Sequence, residues 1–333
     1  PPFLMLLVAP LTFLPWWLGM TVWTTVQVGA IGGTLALLRV RDPRCYALAL
    51  ISIPVMGGLA WGNATLLLVP LVALAWRWRN SWPRAGIVVG LAIASKLFAW
   101  PLLVWLLATR RYRAAVATAV ILLPWAAIGF EGLTSYPDLL RVAERIYATH
   151  SFSMVTVMAG FGLDPGLASS GALAVGVAIA ASAVYAGRRG VDEVSISLAV
   201  LAAILGSPIV WEYYYALLLV PLAIVRPRFS GLWMVLPLFY VTHRLPRELL
   251  GASELEPGGS AWPKPDDVPM ASWVFNHAPP GQWPALGHAF IGVVVVVFVT
   301  RTLSRPRTVD AMSESFASVP TLTSQPLDVT ASL

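Results

Sequence analysis

The sequence predicts an all-α polytopic membrane protein, and three observations support this fold class. Hydrophobic residues make up 58% of the 333 residues and charged residues only 11%. The mean hydropathy is +0.75, whereas soluble domains carry about 25% charged residues. Apolar runs recur between short basic breaks, which suits helices of about 20 residues better than the roughly ten-residue alternating strands of an outer-membrane barrel.

The charge distribution indicates membrane topology rather than a polyanionic partner. The net charge is +6 and the pI about 9.8, but the basic residues cluster at the ends of apolar runs, as the positive-inside rule describes. Nucleic acid is therefore not an expected partner. Cys45 is the only cysteine, so an intrachain disulfide is excluded and nothing points to a cysteine-ligated metal site. We expect neither a metal nor another cofactor.

Basic clusters predict which loops are cytoplasmic. They are Arg39-Arg41-Arg44, Arg77-Arg79-Arg84, Arg110-Arg111-Arg113, Arg188-Arg189, Arg226-Arg228 and Arg301-Arg305-Arg307. The crossings between them are predicted near 20–38, 45–61, 64–76, 114–130, 171–187, 194–210, 213–225, 229–242 and 284–300, after helical material at 3–18. With re-entrant segments included, we expect a bundle of about 9 to 11 helices.

The interval from Arg84 to Arg110 is basic at both ends but too short for two crossings of about 20 residues each. A broken, re-entrant hairpin satisfies both the length and the charge rule. Ser95 and Lys96 lie near its predicted tip. Irregular backbone at that depth is tolerated only where it is buried in protein or lines a wet cavity.

The predicted topology places two long loops outside the cell, residues 131–170 and 243–283. Within the first loop, Leu139, Val142 and Ile146 recur at helical spacing, which predicts an amphipathic helix on the membrane surface. Residues 1–301 are expected to form the membrane domain. The Ser/Thr/Pro-rich residues 302–333 are expected to be a disordered cytoplasmic tail.

Two charged residues inside apolar sequence are candidate site residues. Lys96 is about half a helix from either basic flank, and an ammonium near the bilayer centre costs roughly 3 kcal/mol on insertion scales. Glu212 stands in "GSPIVWEYYYALLLVPL", where a carboxylate normally has a partner or a function. The aromatic residues around it could instead be interfacial anchors, and Glu212 could simply pair with Lys96.

Four segments in order carry a resemblance to a known family. They are the Pro1-Pro2 opening before an apolar stretch, Gly62-Asn63-Ala64-Thr65 before a Leu-rich helix, Gly90-Leu91-Ala92 with Lys96 and Pro101 before Arg110-Arg111-Tyr112-Arg113, and Ser207-Pro208-Ile209-Val210-Trp211 before Tyr213-Tyr214. Together they resemble the polyprenyl-phosphate-sugar-dependent transferases of glycosyltransferase family 87, which have the GT-C membrane fold. Many members have histidine where this chain has the tyrosine pair.

The resemblance implies a hexosyltransferase in a bacterial plasma membrane with its active site facing outside. The donor would be a polyprenyl-phosphate sugar, most simply mannose, and the acceptor a glycolipid or glycan, with inversion at the sugar. By this resemblance Lys96, Arg145 and Arg244 would bind the donor phosphate. The sugar and acceptor would contact a second group, formed by Asn63, Trp211, Glu212, Tyr213 and Tyr214.

The resemblance also implies that the catalytic base lies in a first outer loop upstream of Pro1, so the chain is expected to lack its N-terminal part, although Glu212 is a possible base. Two other function classes remain open. In a secondary transporter, Lys96 and Glu212 would line the substrate path, but such proteins tend to have inverted repeats, and none is visible. The other class is a noncatalytic membrane scaffold.

Overall fold

The computed structural model describes residues 2–128, 130–147, 151–243 and 282–303, and every regular element in them is a helix. The α-helices are α1 Pro2–Val8, α2 Trp16–Leu37, α3 Pro43–Ile51, α4 Ile53–Ala60, α5 Thr65–Arg77, α6 Trp82–Ser95, α7 Pro101–Ala108, α8 Tyr112–Ile128, α9 Phe130–Tyr147, α10 Met154–Gly160, α11 Pro165–Arg188, α12 Asp192–Leu205, α13 Leu219–Val225, α14 Val235–His243 and α15 Gln282–Leu303. The 3₁₀ helices are Ala9–Phe13, Leu97–Ala99, Glu212–Leu218 and Gly231–Met234.

Three of the described helices are long and apolar enough to cross a membrane, namely Trp16–Leu37, Gly166–Arg188 and Pro284–Arg301. Helices α3 and α4 meet at a bend of 55° and count as a fourth crossing if they are taken together. The all-α polytopic membrane fold is thereby confirmed. The remaining apolar helices are shorter than a full span.

Helices occupy each of the nine predicted crossings, but one crossing and one outer loop differ from the prediction. The crossing predicted at 194–210 ends at Leu205, because Gly206 and Pro208 interrupt the helix; a proline lacks the backbone N–H and disfavours helical geometry in the residue before it. The predicted outer loop 131–170 is largely helical, since α9, α10 and the start of α11 lie within it. Residues 244–281 and 304–333, and with them most of the second outer loop and of the tail, lie outside the described residues.

Close packing of α6 against α8 depends on small residues. A Cβ placed on Gly86 would lie 2.5 Å from the Ala117 Cβ and 2.6 Å from the Ala114 carbonyl oxygen. No larger side chain fits there without moving a helix, and small residues are what membrane helices use to approach closely. This contact fixes the first leg of the segment that carries Lys96.

The segment from Trp82 to Ala108 leaves one end of the bundle and returns to the same end. Helix α6 stops at Ser95, Lys96 is extended with φ −150° and ψ 117°, and α7 follows the short 3₁₀ turn. Arg111, just after α7, donates its Nε–H to the carbonyl oxygen of Arg79, just before α6, at 2.8 Å. The two ends of the segment therefore meet, as expected of a re-entrant hairpin with Lys96 at its break.

Asp192, the first residue of α12, ties these ends to a third basic loop. Its carboxylate accepts two hydrogen bonds from Arg111, at 2.9 and 2.7 Å, and one from the Trp105 indole at 2.9 Å. Arg79 Nε lies 3.3 Å from Asp192 Oδ2. Three of the predicted cytoplasmic loops thus lie together at one end of the molecule, which we call the basic end.

Lys96 lies at the opposite end from Asp192. Its ammonium bonds Thr65, the first residue of α5, whereas α5 ends at Arg77, two residues before Arg79. A helix of that length rises about 20 Å. The fold therefore separates the hairpin tip from the basic end by roughly the length of α5.

Candidate active site

The ammonium of Lys96 is bound by two neutral side chains on the turn before α5. Lys96 Nζ donates to Asn63 Oδ1 at 3.0 Å and to Thr65 Oγ1 at 2.6 Å. The Thr65 hydroxyl in turn donates to Asn63 Oδ1 at 2.7 Å. Across the described ranges, no carboxylate pairs with Nζ within 4.0 Å. Among the described residues, the half-buried cation is therefore oriented by two neutral acceptors and has one further proton to donate.

Helix α2 holds the turn that presents Asn63. Gly62 has φ +58°, a left-handed conformation that glycine adopts at little cost. The Trp23 indole donates to the Gly62 carbonyl at 2.7 Å, and Gln27 Nε2 donates to the Asn63 carbonyl at 3.2 Å. Gln27 is fully buried. These two bonds hold the turn with Asn63 and Thr65 at a fixed position beside α2.

Two tyrosines form an aromatic wall beside the ammonium. Lys96 Nζ lies 4.8 Å from the centre of the Tyr214 ring and 5.6 Å from that of Tyr213, within the range of cation–π attraction. Phe98, in the 3₁₀ turn after Lys96, stacks on Tyr214 with ring centres 4.5 Å apart. The aromatic segment, residues 211–215, and the hairpin tip, residues 95–98, thus form one site.

Glu212 is buried against helix α4 rather than paired with Lys96. A Cβ on Gly57 would lie 2.6 Å from Glu212 Oε1, so the carboxylate occupies the space that this glycine leaves. Among the ion pairs of the described residues, none joins Glu212 to Lys96. The interpretation of Glu212 as a salt-bridge partner of Lys96 is therefore not supported.

Residues 151–156, which sequence reasoning did not single out, pack directly under the aromatic segment. The Phe152 N–H donates to the Val210 carbonyl at 2.6 Å, and the Tyr215 hydroxyl donates to the Phe152 carbonyl at 3.3 Å. Ser151 and Ser153, both buried, lie 2.8 Å apart at their hydroxyl oxygens. The irregular backbone after α12 is held in this way by the chain that follows α9.

Helix α9 contributes a second buried carboxylate, Glu144. Tyr147 makes an edge-to-face contact with Trp211 at 5.4 Å between ring centres, and residues three apart share a helix face. Glu144 is 8% exposed, and its Oε1 has no hydrogen-bond partner within the described part of the chain. The sequence signal for Glu144 was weak, because it reads as part of the polar face of an amphipathic helix.

The sequence profile of glycosyltransferase family 87 matches residues 1–210, which is more than half of the chain. The chain belongs to glycosyltransferase family 87. This membrane glycosyltransferase therefore acts on a sugar donor and an acceptor. No curated protein and no solved structure matches the chain significantly.

The family match includes the Lys96 part of the site and ends just before the aromatic segment. Asn63, Thr65 and Lys96 lie within the matched residues, which end one residue before Trp211. The aromatic segment of this glycosyltransferase is joined to the matched part by structure, through the contacts of Tyr213 and Tyr214 with Lys96.

Two predicted phosphate ligands of the glycosyltransferase are not placed at the site. Arg145 belongs to α9, but its side chain lies outside the described residues, as does the whole of Arg244. Of the other predicted residues, Asn63, Tyr213 and Tyr214 contact Lys96. Trp211 instead contacts Tyr147 of α9, and Glu212 packs against Gly57. Thr65 is the addition that the structure makes to this set.

Proposed function

We propose that this glycosyltransferase moves mannose from a polyprenyl-phosphate donor to a glycolipid or glycan acceptor, at the extracytoplasmic face of a bacterial plasma membrane. The observation that supports it is the Lys96 ammonium, held at the break of a re-entrant hairpin by Asn63 and Thr65. A donor with a membrane-embedded tail delivers its phosphate to such a depth.

A donor phosphate would supply the anion that compensates the charge of the Lys96 ammonium. An ammonium removed from bulk water is costly unless an anion compensates it, and its two described partners are neutral. The donor phosphodiester would accept the remaining proton of Nζ. As the bond from the sugar C1 to the phosphate oxygen breaks, negative charge grows on the departing polyprenyl phosphate. A preorganised cation stabilises that charge more in the transition state than in the ground state.

The aromatic segment supplies the sugar side of the same reaction. Tyr213 and Tyr214 flank Lys96, and Trp211 lies in the same segment, half-buried. Of these rings, Trp211 would provide apolar surface against the C–H groups of a hexose, because Tyr213 is only 6% exposed and Tyr214 already stacks on Phe98. The acceptor hydroxyl oxygen forms the new bond to C1 on the face opposite the phosphate, which inverts that centre. A carboxylate such as Glu212 or Glu144 would orient the hydroxyl or take its proton.

The orientation in the membrane follows from charge. The basic end holds Arg79, Arg111 and the loop after α11, and such clusters remain on the cytoplasmic side. The Lys96 end would then face outside. This is where a lipid-linked donor is required, because nucleotide sugars are confined to the cytoplasm.

The test is glycosyl transfer by the purified full-length protein, with polyprenyl-phosphate mannose as donor and a membrane glycolipid fraction as acceptor. Lys96→Met should lower turnover by roughly 10² to 10³, the usual loss when one preorganised donor to a developing anion is removed. Ser95→Ala is the matched control, because the Ser95 hydroxyl bonds its own helix at Leu91. Its turnover should stay near that of the unchanged protein.

Two outcomes would contradict the proposal. Transfer from a nucleotide sugar but from no lipid-linked donor would exclude the donor class. Normal turnover by a correctly inserted Lys96→Met protein would remove Lys96 from the phosphate site. In either case membership of the family would stand, but the assignment of this site would not.

A further inference from the structure

A cavity of about 480 Å³ lies at the basic end, far from Lys96. It is lined by Leu107, Ala108, Arg110, Tyr112 and Arg188. These residues lie at the end of α7, in the turn that follows it, at the start of α8 and at the end of α11. Nothing in the transfer reaction uses the cavity.

The two arginines of the cavity differ from Arg79 and Arg111 in having no ionic partner in the described part of the chain. Arg79 and Arg111 are committed to Asp192, and Arg189 stacks on Tyr185 at 4.7 Å. Arg110 and Arg188 are exposed and appear in none of the ion pairs of the described residues. Two arginines that line one cavity offer their guanidinium groups to a phosphate, which arginine binds in bidentate geometry.

An apolar surface leads away from the cavity along α8. Tyr112 is 59% exposed, and Val116, Val120 and Leu123 follow it at helical spacing with exposures of 64%, 57% and 66%. Residues at this spacing share one helix face. Leu107, which also lines the cavity, is 46% exposed. The charged cavity therefore opens onto a stripe suited to hydrocarbon chains.

We propose that this cavity binds the head-group phosphate of an anionic phospholipid from the surrounding bilayer, with an acyl chain along the α8 stripe. A phospholipid satisfies both features at once, whereas a soluble phosphate would use the arginines and leave the stripe uncovered. Basic pockets between membrane helices at the cytoplasmic surface are suited to anionic head groups. The inference is independent of the sugar, the donor and the role of Lys96.

Binding of phosphatidylglycerol to the purified, delipidated full-length protein tests the inference, measured by native mass spectrometry. Replacing both cavity arginines, Arg110→Ala with Arg188→Ala, should weaken binding by about tenfold or more, since two charge-assisted contacts are lost. Arg189→Ala is the matched control. It removes the same charge one residue away, from a side chain that stacks on Tyr185 and does not line the cavity. It should weaken binding by less than about twofold, the effect of a screened surface charge.

Three results would overturn the inference. They are unchanged phosphatidylglycerol binding by the double variant, equal weakening by Arg189→Ala, and complete competition by inorganic phosphate at millimolar concentration. The second would mean a diffuse charge effect and the third a small-anion site. If the double variant does not fold, Arg110→Gln and Arg188→Gln are measured singly, and each should weaken binding by roughly threefold or more. Unchanged binding by both would equally refute the proposal.

Discussion

Glu144 and Glu212 are the two carboxylates that the fold buries among its described residues. Glu212 fills the space above Gly57, while Glu144 lies one turn from Tyr147, which touches Trp211. A buried carboxylate oxygen that lacks a partner is costly. Another interaction must offset that cost. At this site a hydrogen bond from the hydroxyl of the acceptor substrate would do so.

On this basis we expect Glu144→Gln to weaken acceptor binding. The change keeps the size of the side chain but removes the charge, and a hydrogen bond to a charged group contributes about 1.5–3 kcal/mol. The KM for the acceptor should rise by about tenfold or more. The KM for the donor should change by less than about twofold, because Lys96 is untouched.

Asp138→Asn is the control for that measurement. Asp138 is on the same helix but exposed, paired with Arg141 at 3.1 Å, so its replacement should leave both KM values unchanged. A Glu144→Gln protein with a normal acceptor KM, or with only the donor KM altered, would place Glu144 outside the acceptor site.

At the scale of elements, the hairpin from α6 to α7 depends on Asp192 at its open end. The carboxylate joins Arg111, Arg79 and Trp105, and the Asp192–Arg111 pair is about four-fifths buried on both sides. Asp192→Asn should lower the thermal midpoint of the purified protein, because the amide cannot replace the charge-assisted bonds and about 1–3 kcal/mol of stability is lost. Sugar transfer should fall as well, since the hairpin also carries Lys96.

Asp42→Asn is the matched control for Asp192→Asn. Asp42 pairs with Arg44, whose side chain is 68% exposed, and such surface pairs contribute about 0–1 kcal/mol. Asparagine also replaces aspartate well as the N-cap of α3. An equal loss of stability in the two variants would show that Asp192 does not hold the hairpin.

The hairpin also shows which elements could be predicted from sequence and which could not. Its existence follows from the arginines that flank a segment too short for two crossings, and Lys96 marks the break. The partners of Lys96 could not be predicted, because Thr65 is remote in sequence and apolar periodicity locates helices without saying which loops meet. Pro208 is visible in the sequence, but the apolar run around it led to the prediction of an unbroken helix over 194–210.

At the scale of the whole molecule, α5 and α12 join the site to the basic end, and α11 packs along α12. Helix α11 starts at Pro165 and ends at Arg188, beside the cavity of the basic end. The charge rule predicted three of the loops that the fold gathers at this end. Charge cannot reveal the packing of the long outer segments. Phe152 donates its backbone N–H to the Val210 carbonyl and accepts a bond from the Tyr215 hydroxyl at its own carbonyl, and these bonds leave no pattern in the sequence.

Orientation is the property on which the proposed reaction depends most, and single cysteines report it directly. Cys45 is fully buried, so Cys45→Ala gives a cysteine-free background with little change in packing. Leu163→Cys lies at an exposed position just before α11, and Arg228→Cys lies at an exposed position after α13. With the basic loops inside the cell, a membrane-impermeant maleimide should label Leu163→Cys on intact cells and Arg228→Cys only after permeabilisation. The reverse pattern would place Lys96 at the cytoplasmic face, where a nucleotide sugar is as accessible as a lipid-linked one, and would contradict transfer at the outer face.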